Sequence, residues 1–309
     1  MNPVRSILLW ASRNERLRTS FPKYKFLRRA VRRFMPGEDI GDALEAAEKL
    51  KSGGFATVVT HLGENLSKES EADAVAAHYI DVLDLIRKRG LDCHISVKPT
   101  QLGLDLNRDL CFRHLRALTA RAKETGNFVW IDMESSAYVD PTLELFRRLR
   151  AEFQNVGVCL QSYLLRSAED VEKLLPLAPS IRLVKGTYAE PKTVVFTLKR
   201  DVDESYFQLA KRLLLATTSV DAIIGVGTHD DALVRRIDSA VSGEGAERKS
   251  YEVQMLYGIR REAQMRLLSE GFKVRVLISY GTFWFPWYMR RLAERPANVW
   301  FVLRNLFAR

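Results

Sequence analysis

From residue 37 onward the chain alternates short apolar runs rich in β-formers with longer amphipathic ones. Eight short runs stand out: 55–63 (FATVVTHLG), 93–99 (CHISVKP), 127–133 (NFVWIDM), 156–163 (VGVCLQSY), 180–186 (SIRLVKG), 222–230 (AIIGVGTHD), 251–258 (YEVQMLYG) and 273–281 (KVRVLISYG). Between them, stretches such as 71–90 and 110–126 place apolar residues at helical spacing. Near-continuous apolar strands alternating with amphipathic helices define an α/β protein, a parallel sheet covered by helices. Eight βα units over roughly 250 residues predict a (β/α)8 TIM-type barrel. An open doubly wound sheet is the alternative, weakened because no GxGxxG follows the first strand. The expected organisation is a basic N-terminal helical extension over 1–50 and a catalytic barrel over 51–309.

Active sites of such barrels lie at the C-terminal ends of the strands. Here those ends are polar with a regularity that a packed core does not require. The second run ends in Lys98, the third in Asp132 and Glu134, the fourth in Gln161. The fifth carries Arg182 and Lys185 ahead of Gly186 and Tyr188; the sixth ends in Thr228, His229 and Asp230; the seventh carries Gln254 and ends at Tyr257. Each has an ordinary structural explanation. Lys98 and Asp132 could simply neutralise one another, since an unpaired buried charge is costly, and His229 could be a satisfied interior histidine. As a set converging on one mouth they argue for a site.

The eighth run leads into WYMRRLAERPAN (287–298), where Arg290 and Arg291 precede Glu294 by one helical turn. Two guanidinium forks beside an acid on one helical face make a clamp for a small carboxylate; a solvated charged helix end is the bland alternative. The aromatic turn after the strand predicts these arginines near the start of a helix, where backbone N–H groups also favour anions. The cationic balance of Lys98, Arg182, Lys185, Arg290 and Arg291 suggests a phosphate-bearing cofactor together with an anionic substrate. Metal chemistry is poorly supported, because the five histidines show no HxH or HExxH spacing.

Charge sharpens the picture at the N-terminus. Residues 1–36 hold ten Lys/Arg against Glu15, so nine of the net ten positive charges sit there. Interleaved Leu8, Leu9, Trp10, Phe21, Phe26, Leu27 and Phe34 leave two readings open: contact with an anionic membrane, or a helix pair packed on the barrel. A nucleic-acid partner is not expected, since no recognised binding motif accompanies the charge. Three scattered cysteines without CxxC argue against a disulfide framework and for a reducing compartment. With no apolar stretch near the roughly 20 residues of a membrane span, a cytoplasmic location is expected, with peripheral contact on the inner face of the membrane as one option.

Seven segments together resemble the proline dehydrogenase family: SVKPTQLGLDL (96–106), WIDMES (130–135), LQSYL (160–164), IRLVKGTYAEP (181–191), GTHD (227–230), QMLYG (254–258) and YMRRLAERPAN (288–298). They cover almost the whole chain from the second strand onward, in the family's order. The resemblance implies a distorted (β/α)8 barrel with FAD at the strand C-termini, oxidising L-proline to Δ1-pyrroline-5-carboxylate by hydride transfer to flavin N5. It implies that Arg290 and Arg291 hold the substrate carboxylate with Glu294 in support, and that Lys98, Asp132, Tyr188 and Leu256 surround the substrate. Arg182 would approach the flavin N5 region, while Gln161, Lys185, Gly186, Thr228 and His229 would contact the isoalloxazine or pyrophosphate. Thr197 and Lys199, in the loop after the fifth strand, would contact the adenosine half. A quinone is the implied electron acceptor, and the chain ending at Arg309 without a second catalytic domain is similar to the monofunctional form.

Three positions depart from the family pattern. Leu277 and Trp287 stand where tyrosines usually wall the proline ring, and Ala189 follows Tyr188 where some members have an aromatic. Leucine offers no phenolic hydrogen bond. A related cyclic imino acid (hydroxylated, N-substituted or larger-ringed) is therefore one alternative to proline, and a catalytically silent flavin-binding paralogue another. A flavin-free barrel enzyme handling phosphosugars is the third.

Overall fold

The computed structural model describes residues 31–63, 66–217, 222–244 and 248–294, together with Leu8, Trp10, Ala11, Asn14 and Leu17. All eight expected strands form: β1 (Ala56–His61), β2 (Cys93–Val97), β3 (Val129–Ile131), β4 (Val156–Gln161), β5 (Ser180–Val184), β6 (Ile224–Gly227), β7 (Tyr251–Leu256) and β8 (Lys273–Tyr280). Each pairs in parallel with its successor, and β8 closes on β1 with Val58 opposite Leu277. The barrel reading therefore holds over the open sheet. Most strands stop before the polar residues that follow them. Asp132, for example, lies just past the three-residue β3, where its side chain is released to the mouth.

The helices between strands are α2 (Glu69–Lys88), α3 (Arg108–Glu124), α4 (Val139–Glu152), α5 (Ser167–Leu174), α6 (Lys199–Ala216), α7 (Asp231–Ser242) and α8 (Arg261–Ser269), with α1 (Ile40–Ser52) before β1 and α9 (Trp284–Glu294) after β8. Sequence dictates their starts. Glu71 reaches back to accept from the N–H of Ser67 at 2.7 Å and of Lys68 at 3.1 Å, fixing the entry to α2, and Asn107 accepts from Asp109 and Leu110, satisfying otherwise orphaned first-turn donors of α3. Helix α1 buries Ala43, Leu44, Ala46 and Ala47 against the barrel beside β1 and β8. It runs through the expected division at residues 50 and 51.

Two packing environments follow from the period-2 alternation of each strand. Outward residues such as Val59, Ile95, Val129, Val158, Ile181, Leu183, Val226, Val253 and Val274 pack under the helices in one large core. Inward residues are unlike it: Val58, Phe128 and Trp130 form a small apolar plug, and Arg182, Glu252, Gln254 and Arg275 are buried beside it. A further cluster joins Ala11, Val31, Phe34 and Met35 to Trp284, Phe285, Tyr288, Met289 and Leu292 of α9. These described residues of the N-terminal segment thus pack on the last helix. Of its other interleaved hydrophobics, Leu8 packs against the same cluster and Trp10 is 61% exposed; Leu9, Phe21, Phe26 and Leu27 lie outside the described residues. Among the described residues no helix is long and apolar enough to cross a membrane.

Candidate active site

A closed parallel barrel delivers every strand C-terminus to one end, and Lys98, Asp132, Gln161, Arg182, Lys185, Thr228, His229 and Leu256 meet there. The expected mutual neutralisation of Lys98 and Asp132 does not occur. Asp132 Oδ1 accepts instead from Ser96 Oγ at 2.7 Å and from Arg182 Nη1 at 2.9 Å. Arg182 is buried and Asp132 is half-buried, so the carboxylate offsets the desolvation of the guanidinium. Lys98 has no ion pair among the described residues. It lies in the field of buried Glu134, whose carboxyl accepts from Thr100 N at 3.1 Å and Thr100 Oγ1 at 2.8 Å. Burial raises the Glu134 pKa, with Lys98 and Thr100 opposing. With no such ion pair, Lys98 is suited to an anionic ligand.

Arg182 is the centre of the site. It lies 4.8 Å from the centroid of the Trp130 ring, donates Nε to Gln254 Oε1 at 2.5 Å, and donates Nη1 to Ser96 Oγ and Asp132. Its Nη2 is buried and has no partner among the described residues. Gln161, also buried, has a long 3.4 Å bond from Nε2 to Met133 O and an unpartnered Oε1. A buried donor and a buried acceptor left open on neighbouring strands call for a ligand that carries both complements. Glycines open backbone beside them. Gly186 has φ 102°, where a Cβ would fall 2.2 Å from Tyr163, and a Cβ on Gly227 would fall 2.7 Å from Leu183 O.

The 185–198 loop beyond β5 is pinned on two sides. Leu165 N donates to Val194 O at 3.0 Å, Phe196 N donates to Tyr163 O at 2.8 Å, and Ser136 N donates to Glu190 Oε1 at 2.7 Å. Lys185 pairs with Asp203 at 2.5 Å and lies 3.7 Å from Asp230. Lys199 also pairs with Asp203; it opens helix α6 rather than lying in the loop, whereas Thr197 is an exposed loop residue. Although burial works the other way, the two lysines hold the Asp203 carboxyl below its ordinary range. Thr228 Oγ1 accepts from Asp230 N at 3.1 Å, and His229 O accepts from Arg260 Nη1 at 2.9 Å. Tyr188 is half-buried in the loop, and Leu256 faces Leu277 in register.

The arginine clamp needs one correction. Helix α9 begins at Trp284, so Arg290 and Arg291 sit in its second half and not near its start. The aromatic turn is itself helical, because Pro286 falls at the third position, where a missing N–H costs nothing. First-turn amides are therefore not at hand for an anion beside the arginines. The helical spacing to Glu294 stands. Arg291 is half-buried, while the side chains of Arg290 and Glu294 lie outside the described residues.

Sequence reasoning missed Ser96, Glu252, Arg275 and Gly225, and gave Gln254 no role. Parallel strands buried on both faces read as continuous apolar runs. Polar residues at every second position of YEVQ and KVRV break that rule and were the available signal.

The residues present suit an anionic, ring-bearing cofactor with hydrogen-bonding edges: open Arg182 Nη2 and Gln161 Oε1, glycine-lined backbone, and cationic Lys98 and Lys185. Fold and mouth together define a (β/α)8-barrel enzyme with a cationic strand-end site. The family model described as proline dehydrogenase matches residues 43–304, and the chain belongs to the proline dehydrogenase family, which makes it an oxidoreductase. It is 39% identical over 303 residues to proline dehydrogenase 1 of Bacillus subtilis subsp. natto, spanning 98% of this chain and 99% of that protein. It is 37% identical over 279 residues to proline dehydrogenase of Deinococcus radiodurans, spanning 89% of each. Among solved structures, proline utilization A of Bdellovibrio bacteriovorus has the same fold, with a TM-score of 0.81 at 23% identity, over 98% of this chain and 39% of that chain.

Proposed function

We propose that the enzyme oxidises L-proline to Δ1-pyrroline-5-carboxylate with FAD as hydride acceptor, and passes the electrons to a quinone. The observation that carries this reading is buried Arg182, fixed on three sides with Nη2 left open, and with the open Oε1 of Gln161 on the neighbouring strand. FAD, when bound, supplies the two-electron acceptor that no side chain provides. Arg182, Gln161, Lys185, Gly186, Thr228 and His229 would hold its ring and phosphates, with Thr197 and Lys199 toward the adenosine.

Lys98, Arg290 and Arg291 bind the substrate carboxylate, Glu294 supports the arginines, and Leu256 and Tyr188 pack against the ring. Asp132 keeps the Arg182 charge oriented and compensated. The wall at Leu277 is aliphatic and packs against the Val58, Phe128 and Trp130 plug; this favours, as a second reading, activity on larger or N-substituted cyclic imino acids. Replacing Arg290 by Met should raise KM for proline far more than it lowers flavin content. Equal loss of both would remove Arg290 from the carboxylate site.

Residues 1–36 would bring the enzyme to the cytoplasmic face of an anionic bilayer, where the quinone resides. Their nine excess charges and the 61% exposed Trp10 support this. Purified enzyme should sediment with anionic vesicles at low salt and release at high salt; failure to bind at low salt would sink the docking idea.

A further inference from the structure

Arg182 is reached from below by a chain of buried groups that runs through the barrel interior. Arg275, 1% exposed on β8, donates Nε to Glu252 Oε1 at 2.7 Å, and Nη1 to Thr57 O at 2.8 Å and Asp92 Oδ1 at 2.9 Å. The same Glu252 oxygen accepts from Gln254 Nε2 at 2.7 Å, and Gln254 Oε1 accepts from Arg182 Nε at 2.5 Å. Glu252 and Gln254 are two apart on β7, so both point inward. The order of donors and acceptors is forced. Turning the Gln254 amide over would set its NH2 against a guanidinium and its oxygen against a carboxylate. Each member of the chain therefore has one arrangement, set by its neighbour.

Two glycines make room for it. Gly225 on β6 lies in register with Arg182 on one side and Glu252 on the other, and a Cβ there would fall 2.6 Å from Gln254 Nε2. A Cβ on Gly157 would fall 2.6 Å from the Trp130 ring, against which Arg182 stacks. A side chain at 225 would displace the Gln254 amide, and one at 157 would displace the Trp130 ring.

We propose that Gln254, locked by Glu252 and Arg275 and admitted by Gly225, is a positioning residue for the oxidation. It fixes the Arg182 guanidinium so that Nη2 is presented to the electron acceptor; this rests on the reading that FAD binds against Arg182. A charge held in place before the reaction needs no reorganisation as negative charge develops on the acceptor. A guanidinium free to swing stabilises that charge less.

The test uses full-length enzyme with FAD supplied, comparing wild type, Gln254→Met and Gly225→Ala. The glycine variant leaves every charge in place and displaces only the amide, so it stands in if Gln254→Met misfolds. Per bound flavin, both variants should show a reduction potential shifted to more negative values. Proline-driven flavin reduction should slow by about ten- to a hundredfold, with KM little changed. A purely structural role would lower flavin content and melting temperature but leave the per-flavin potential and rate alone. A second readout needs no flavin: the Arg182 Nε–H signal in 15N–1H spectra of the ligand-free protein, identified by its loss in Arg182→Lys. It should be protected from exchange in wild type and lose that protection in both variants. Unchanged protection, or unchanged potential and rate per flavin, overturns the proposal. Wild-type protein that takes up no FAD would overturn the cofactor reading alone, and the Nε–H signal would still decide the positioning.

Discussion

Gly186 and Tyr163 occupy each other's space: a Cβ on Gly186 would lie 2.2 Å from Tyr163 Cδ1, and the glycine holds φ 102°. Side-chain-bearing residues rarely adopt that conformation. The pair sets how closely the β5 loop folds over the mouth, since Tyr163 N also donates to Lys185 O at 2.9 Å and Tyr163 O accepts from Phe196 N.

Gly186→Ala should therefore be strained in backbone and side chain alike, destabilising the fold by about 1–3 kcal/mol. The same variant should retain less flavin after gel filtration, because the loop must lift to admit the methyl group. Thermal unfolding and the ratio of flavin to protein absorbance check both effects. An unchanged melting temperature with full flavin would mean that the loop does not sit as described.

Acid sensitivity should trace in part to His61 at the end of β1. Burial, with the charges of His78 and Lys98 adding to it, holds the His61 imidazole at about 4. The unfolded chain takes up this proton at about pH 6.5, so between about pH 6.5 and pH 4 it binds a proton that the folded chain refuses. Stability that is full above this window is lost as pH falls through it. The His78 ring, centred 5.0 Å away, is lowered for the same first cause, burial, and leaves a residual slope. His61→Leu should flatten the change in urea midpoint between pH 7 and pH 5; an identical pH dependence would assign it to other groups.

How much of this was legible in sequence depended on whether the signal was local. The strand runs announced the barrel because apolar runs and helical spacing are read within a few residues. Lys98, Gln161, Arg182 and Gly186 were readable as strand ends. Which of them pair was not readable. Asp132 pairs with Arg182, fifty residues on, and not with Lys98 on the adjoining strand, because Arg182 is buried and needs a counter-charge and Ser96 bridges the two. The start of α9 was not readable for a different reason: FWFPW carries no N-cap residue and contains a proline, yet packing of Trp284 and Phe285 in one cluster with Phe34 and Met35 makes it helical. Tertiary burial overrode local preference.

Proline oxidation over a flavin held at the Arg182 mouth is decided by one anaerobic titration. Purified enzyme reconstituted with FAD is mixed with L-proline while the visible spectrum is recorded. A bound-flavin band should appear and should bleach on adding L-proline. A protein that binds no FAD, or one whose flavin band is left unbleached by L-proline, would contradict it.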